Sequence, residues 1–455
     1  MSNTQGDLLK EKLDQLSCHF TWGPQKETIQ VNDVEYRLQD SLKFDVKYKV
    51  MSYNQLAFVN CIQGKCEEAI QNLKEAEQFL RENHKDEFER RSIITYGNSA
   101  WVHYHMGQLT EAQTYLHKLE MICKPLSDGP RYTAMIPEVY GEKGWSLLTS
   151  GNSIYYKEAK ECFEKALEKD SDNTEWIMGY ATALFRLESI SGTPANRQQS
   201  QSVRHLRRVL QLDSDDTVAM VLLALKLRIF NQKKEATELV EEALQKTPDF
   251  PYVLRYAAKF WRLEKDVEKA IGLLKKALEI TPDSIFLHHQ IALCYELKLN
   301  KPTHNPFPQN GSNCEHQQKT ELIRECKHHF AKVDEQRPSA VKPQLDFAQF
   351  CVKVKDYSKA EEIYDKLLKL VSISPREMQT IRLKAGLFQM HQMKSESNAI
   401  TLFLEGLNIE HESSEWKMCR RHLEQWLNRK LQRNPQDNKA LRIKSLLNEM
   451  DGNSP

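Results

Sequence analysis

Glycine and proline are scarce, at 16 each in 455 residues. That leaves few points where the chain can turn sharply, and it favours long helices over a turn-rich β-fold. No run of about 18 apolar residues occurs, so no membrane-spanning helix is expected. The opening stretch from Met1 to Asp7 is polar and lacks the apolar core of a secretion signal, and the expected location is the cytoplasm. An excess of one charge is also lacking, with 64 Lys and Arg against 63 Asp and Glu. That balance excludes a globally basic nucleic-acid binder but leaves room for a local basic surface.

Ten cysteines are present, yet no CxxC pair or framework spacing relates them. Reduced thiols are expected in place of a disulfide scaffold. Cys314, His316, Cys326 and His328 spell Cys-x-His twice, which is not a standard zinc spacing, and Cys326 fits an inward helix position shared with Phe330 and Val333. No P-loop, GxSxG or HExxH is found. The expectation is a binding protein, not an enzyme, with no metal and no cofactor.

What is there is a repeat. Ala224, Ala258 and Ala292 stand 34 residues apart, and the same step separates Ala236 from Ala270, Ala243 from Ala277, and Pro248 from Pro282. A 34-residue period with small residues at fixed places is the signature of the tetratricopeptide helix–turn–helix unit. The small residues admit close helix crossings, and the terminal proline cannot continue the preceding helix. Degenerate copies surround this centre: Tyr53, Leu56, Ala57, Gly64, Ala69 and Ala76; Tyr96, Ala100, Gly107 and Ala112; Gly144, Ala159, Phe163 and Ala166; Ala348 with Ala360; and Ala399 with Phe403. From Ala292 to Ala348 is 56 residues, or 34 plus an insertion of 22.

The fold class that follows is all-α, a tetratricopeptide-repeat superhelix (α-solenoid) of about nine helix–turn–helix units with two loop insertions. Its segments are an N-terminal helical part (1–50), N-terminal units (51–187), a loop insertion (188–202), central units (203–300), a Pro/Asn-rich loop insertion (301–320), C-terminal units (321–431), and a short terminal helix and tail (432–455).

One helix carries a candidate site. Between the core positions Leu254, Ala257, Ala258 and Trp261 lie Arg255, Lys259 and Arg262, spaced to share a face opposite the packing face. His289 follows Arg255 by 34 residues, the equivalent place one repeat later. Guanidinium groups donate bidentate, charge-assisted hydrogen bonds to phosphate. Tyr256 and Gln290 add stacking and base- or ribose-directed hydrogen bonding. The competing reading is an ordinary solvated helix face.

Several runs resemble the interferon-induced proteins with tetratricopeptide repeats: Cys18-His19-Phe20-Thr21-Trp22, Trp101-Val102-His103-Tyr104-His105-Met106-Gly107, Val221 to Leu227, Arg255-Tyr256-Ala257-Ala258-Lys259-Phe260, and Leu287-His288-His289-Gln290. The resemblance implies an interferon-induced, cytosolic antiviral effector. Such proteins hold the 5′ end of single-stranded viral RNA, as a triphosphate or an undermethylated cap, in a basic channel and so inhibit its translation. It further implies homo- or hetero-oligomers with family members. Arg255, Tyr256, Lys259, Arg262, His289 and Gln290 fall on family positions that touch RNA, as do Arg37, Tyr156 and Arg186. Trp145 falls on the aromatic that stacks on or borders a cap, although its own repeat would also accept it as a core tryptophan.

The sequence departs from the family pattern in places. Thr149 stands where the family has a phosphate-binding lysine, Ser41 replaces a glutamine, Phe44-Asp45 replaces Phe-Leu with one residue deleted, and Val218 replaces a tyrosine. The final repeat of the cap-binding members is also missing its full length. Two functions stay open: an RNA 5′-end binder, and a protein-interaction scaffold acting through relatives or host factors.

Overall fold

The computed structural model describes residues 2–22, 31–44, 48–126, 131–150, 153–192, 194, 196–282, 284–300, 312–336, 338–371 and 373–452. These form α-helices joined by short turns, with no strand among the described residues. Two helices open the chain, α1 (Ser2–Leu13) and α2 (Val31–Phe44). Antiparallel pairs follow: α3 (Lys49–Ile62) with α4 (Cys66–Asn83), α5 (Phe88–His105) with α6 (Leu109–Cys123), and α7 (Pro137–Ser150) with α8 (Ser153–Leu167). Next come α9 (Thr174–Ser191) with α10 (Gln201–Leu212), α11 (Thr217–Ile229) with α12 (Lys233–Lys246), and α13 (Pro251–Leu263) with α14 (Val267–Ile280). The last pairs are α15 (Ile285–Leu299) with α16 (Ser312–Gln336), α17 (Val341–Lys353) with α18 (Tyr357–Leu368), α19 (Pro375–His391) with α20 (Glu396–Leu407), and α21 (Ser414–Arg433) with α22 (Asn438–Gly452). The chain divides into two compact units, Met1–Leu287 and His288–Pro455.

The period places what it should. Ala224, Ala258 and Ala292 are fully buried, as are Ala236, Ala270, Ala243 and Ala277. Five of the pairs turn in the same way: the second residue after the first helix takes a left-handed conformation, at Gly64 (φ 86°), Gly107 (74°), Asn231 (59°), Lys265 (67°) and Lys355 (63°). The next amide then reaches back to the helix, as in Lys65 N–H to Asn60 O (2.8 Å), Asp266 N–H to Trp261 O (3.0 Å) and Asp356 N–H to Cys351 O (2.8 Å). This is the Schellman closure, which satisfies carbonyls that a helix end leaves without partners. Asp266 and Asp356 then cap the second helices through their carboxylates.

Within the first unit, Gly144 on α7 and Gly179 on α9 face the Phe163 ring of α8; a Cβ at these positions would stand 2.8 and 2.3 Å from it. Glycine at both positions lets the ring sit between the two helices, which fixes the spacing of α7 and α9. The Cys18–Trp22 run packs on α5: the His19 amide and ring both meet the Asn98 side chain (3.2 and 3.0 Å), and Phe20 stacks on Trp101 at 5.7 Å. In the second unit Gly386 takes the ring of Phe403 as Gly179 takes Phe163. Cys326, Phe330 and Val333 all point inward.

Two boundaries differ from the sequence reading. The described residues hold ten helix pairs, the last of them α21–α22, whose second helix is the short terminal helix expected after residue 431. Helix α9 runs through Glu188 to Ser191, inside the span assigned to a loop, because the Glu188 carboxylate is bound by the Ser202 amide (3.0 Å) and by both serine hydroxyls of the returning chain. Helix α16 begins at Ser312, also inside a span assigned to a loop. The Phe44-Asp45 junction extends at Asp45 outside the described residues.

Candidate nucleic-acid interface

The first helices of successive pairs supply most of one wall of the first unit. There α3, α7, α9, α11 and α13, joined by α2, border a cavity of about 550 Å³. Trp145 and Thr149 reach it from α7, Thr182 and Arg186 from α9, and Tyr252, Arg255 and Tyr256 from α13. Tyr48, Met51 and Leu38 make its apolar side, and Ser41 and Val218 also line it.

The charged residues of the lining are Arg186 and Arg255, with Asp215 and Asp216 at the start of α11. Arg186 donates from Nη2 to the Tyr256 hydroxyl at 2.8 Å. Tyr256 in turn stacks on Tyr252 at 4.6 Å, and the Arg255 guanidinium lies over the Tyr252 ring at 5.3 Å. Charge on Tyr256 holds Arg186 above the usual guanidinium range against the cost of burial, with Tyr252 and Tyr156 adding to it. Burial alone would raise the Tyr256 phenol, but Arg186, the Tyr252 hydroxyl, Arg255 and Lys259 together bring it below its ordinary value. Lys259 is pushed down by burial; Tyr256 opposes this, while Arg186, Arg262 and Lys226 reinforce it. Three cations thus act on Tyr256, and Arg262 and Lys226 act in turn on Lys259, in a partly desolvated place where charge interactions are strong.

Lys226 and its partner were not foreseen. This lysine is fully buried in the apolar run of α11, with its ammonium 2.9 Å from the Glu188 carboxylate and 4.9 Å from the Phe185 ring. A lone lysine inside Val221–Leu227 was the available signal, since a buried charge needs a counter-ion. Tyr48, Tyr252 and Thr182 were missed as well. Each belongs to the cavity wall, and none carries a charge that would draw the eye in sequence.

The expected site residues divide into groups. Arg186, Arg255, Tyr256 and Trp145 come together at the cavity, and Lys259, Arg262 and Tyr156 bear electrostatically on its cationic side. Arg255, Lys259 and Arg262 are half-buried and not a fully solvated face. Trp145 satisfies both of its readings: it packs edge-on against Phe163 (5.4 Å) and lines the cavity beside Tyr48 (4.6 Å). Its indole Nε1 is buried without a protein partner. His289 and Gln290 belong to the second unit, where His289 Nε2 meets Asp346 Oδ2 at 3.0 Å and Gln290 lies beside the His289 ring. The side chain of Arg37, on α2, lies outside the described residues, as does that of Cys314. Cys326 turns its sulfur to the Ala292 carbonyl at 3.6 Å. Among the described residues, no group of three or more His, Cys, Asp or Glu side chains could hold a metal ion, and no helix is long and apolar enough to cross a membrane.

Stacked helix pairs carrying a mixed aromatic and cationic cavity define a tetratricopeptide-repeat protein equipped to bind an anion next to a flat ring. No protein-family model matches the chain. The human antiviral innate immune response effector IFIT1 is 40% identical over 455 residues, covering 99% of this chain and 94% of that protein. Human interferon-induced protein with tetratricopeptide repeats 2 is 35% identical over 457 residues, with the same coverage. By these likenesses the chain belongs to the family of interferon-induced proteins with tetratricopeptide repeats. Solved structures agree. A monomeric IFIT1 mutant with Gppp-AAAA superposes with a TM-score of 0.84 at 38% identity, covering 98% of this chain and 96% of that one. The human IFIT1 dimer with PPP-AAAA gives 0.82 at the same identity and coverage.

Proposed function

We propose that the protein is an antiviral effector that sequesters the 5′ end of single-stranded RNA in the cavity of its first unit and thereby withholds that RNA from translation. The phosphates meet Arg186, Arg255 and Lys259, and the first ring, base or cap, lies against Trp145. By family position, His289 and Gln290 of the second unit and Arg37 of α2 are also proposed as RNA contacts. The observation that carries this reading is the half-buried Arg186 guanidinium lining a cavity of about 550 Å³ together with Arg255, Trp145, Tyr48, Tyr252 and Tyr256, with Lys259 close enough to Arg186 to feel its charge. A phosphate entering there offsets the repulsion that, after burial, lowers Lys259, and it gains charge-assisted hydrogen bonds. The matching structures of IFIT1 hold a capped and a triphosphate RNA end, which supports the same assignment. The protein acts in the cytoplasm, by binding and not by catalysis.

Homo- or hetero-oligomers with family members are a second element of the proposal, supported by the dimeric state of the human IFIT1 structure and by the exposed Met418, Leu441 and Leu446 on α21 and α22. The test of the main reading is direct binding to 5′-triphosphate, capped and 5′-hydroxyl RNAs of one sequence. The expected order puts 5′-hydroxyl RNA last, and equal affinity for all three would leave the scaffold reading in its place.

A further inference from the structure

Nine cysteine side chains are described, and eight of them are buried; Cys66 is the exception. Burial pushes most of the enclosed thiols up, to about 12 at Cys18, Cys326, Cys351 and Cys419, and a thiol that keeps its proton is a poor nucleophile.

Cys66 also has a neighbour. It opens α4, while Cys61 occupies the last turn of α3, and the Schellman turn at Gly64 folds the two ends together. The sulfurs lie 3.4 Å apart in an S–H···S hydrogen bond. Burial first, and then the adjacent sulfur, push the Cys61 thiol up, so Cys61 keeps its proton; either sulfur can donate the bond. Access from solvent is through Cys66. Among the described residues this is the one cysteine pair in such contact.

We infer that Cys61 and Cys66 form a peroxide-responsive dithiol, a modification site at which oxidation joins α3 to α4 by a disulfide. The Cys66 sulfur attacks hydrogen peroxide, forming an S–O bond as the O–O bond breaks, and its thiol proton leaves with the expelled hydroxide as water. The Cys61 sulfur then displaces the hydroxyl of the Cys66 sulfenic acid. The S–S bond forms, the S–O bond breaks, and the Cys61 proton departs with that hydroxyl as a second water. Two thiols are oxidised by two electrons and one peroxide is reduced. A disulfide measures about 2.05 Å between sulfurs, so the pair must close by about 1.4 Å, a movement available to the less buried Cys66 at a helix start. The inference is independent of the RNA reading, since the link lies at the opposite end of α3 from Met51 and Ser52, which line the cavity.

The test uses the reduced full-length protein, treated with low molar equivalents of hydrogen peroxide. Remaining thiols are alkylated and mapped by mass spectrometry. Trypsin cleaves after Lys65, between the two cysteines, so the link shows as a joined peptide pair. Cys61 and Cys66 should be lost to alkylation together and ahead of the other described cysteines, and dithiothreitol should restore them. In Cys66→Ser, peroxide blocking of Cys61 should fall about tenfold, because its less buried partner is gone. In Cys61→Ser, the Cys66 sulfenic acid should accumulate and be trapped by dimedone. Circular dichroism checks that both variants fold, and if one does not, the wild-type map alone decides. Oxidation of Cys66 without a joined peptide, or of another described cysteine first, overturns the inference.

Discussion

Thr149 donates its hydroxyl back to the Trp145 carbonyl at 3.0 Å and brings no charge to the cavity it lines. A lysine there would place an ammonium on the same wall as Trp145, one turn further along α7. Thr149→Lys is expected to strengthen binding of 5′-triphosphate RNA by about 1.5–3 kcal/mol, roughly ten- to a hundredfold in Kd. Fluorescence anisotropy with triphosphate RNA checks this, and an unchanged Kd means that residue 149 does not meet the phosphates. A second residue-scale consequence concerns acid. Burial takes His19 down to about 3, so the folded state refuses a proton that the unfolded chain accepts below its ordinary value of about 6.5. Its contribution is fully present above that value and is lost as pH falls toward 3, about 2 kcal/mol of it between pH 7 and 5. Glu142 has the opposite sign. Burial lifts it to about 8, so the folded state holds its proton and gains stability as pH falls through that value. The two offset each other between pH 5 and 7. Glu142→Gln keeps an acceptor for the Asn54 amide, now 2.8 Å from the carboxylate, but removes the offset. Its urea midpoint should fall more steeply from pH 7 to 5 than that of the wild type, and parallel curves would contradict this.

At the scale of the helix pair, the turns show how one geometry is reached by different residues. Gly64 and Gly107 adopt the left-handed backbone freely, whereas Asn231, Lys265, Lys355 and Lys394 adopt it with a side chain attached. The steric cost for such residues is about 1–2 kcal/mol, partly offset by the greater freedom that glycine loses on folding. Lys355→Gly should therefore stabilise the second unit by roughly 0.5–1 kcal/mol, seen as a raised Tm for that unit; a lowered Tm would mean that the lysine stem contributes packing that outweighs the strain. The turns also mark what sequence can and cannot disclose. The alanine period was legible because a close helix crossing rejects larger side chains at Ala224, Ala258 and Ala292, whatever the surroundings. Lys265 and Lys355 give no turn signal by themselves, because their conformation is imposed by the backbone closure around them. The loop assigned after residue 187 begins only after Ser191 for a related reason: α9 continues because Glu188 finds Lys226 and the Ser200–Ser202 segment, contacts between distant parts of the chain that no local pattern records.

For the molecule as a whole, the family resemblance located much of the candidate site, and the structure supplies its physical logic. Arg255 and Lys259 looked like an ordinary charged helix face by spacing alone; both are half-buried, and Arg255 lines the cavity that α13 shares with α7 and α9. Trp145 could be placed only by family position, since a tryptophan packed on Phe163 is indistinguishable in sequence from one that also borders a cavity. The central claim is that this cavity binds RNA phosphates through its cationic side. Its most direct test is single-stranded 5′-triphosphate RNA affinity for wild type, Arg255→Glu and Lys74→Glu at two salt concentrations, with helicity checked for each. Lys74 is an exposed residue of α4, so its reversal is the control for charge alone. The account predicts that Arg255→Glu weakens binding well beyond Lys74→Glu, and that wild-type affinity falls with salt at a slope of about −0.7 per phosphate contacted. Equal affinities for all three proteins, or a salt-independent Kd, would contradict it.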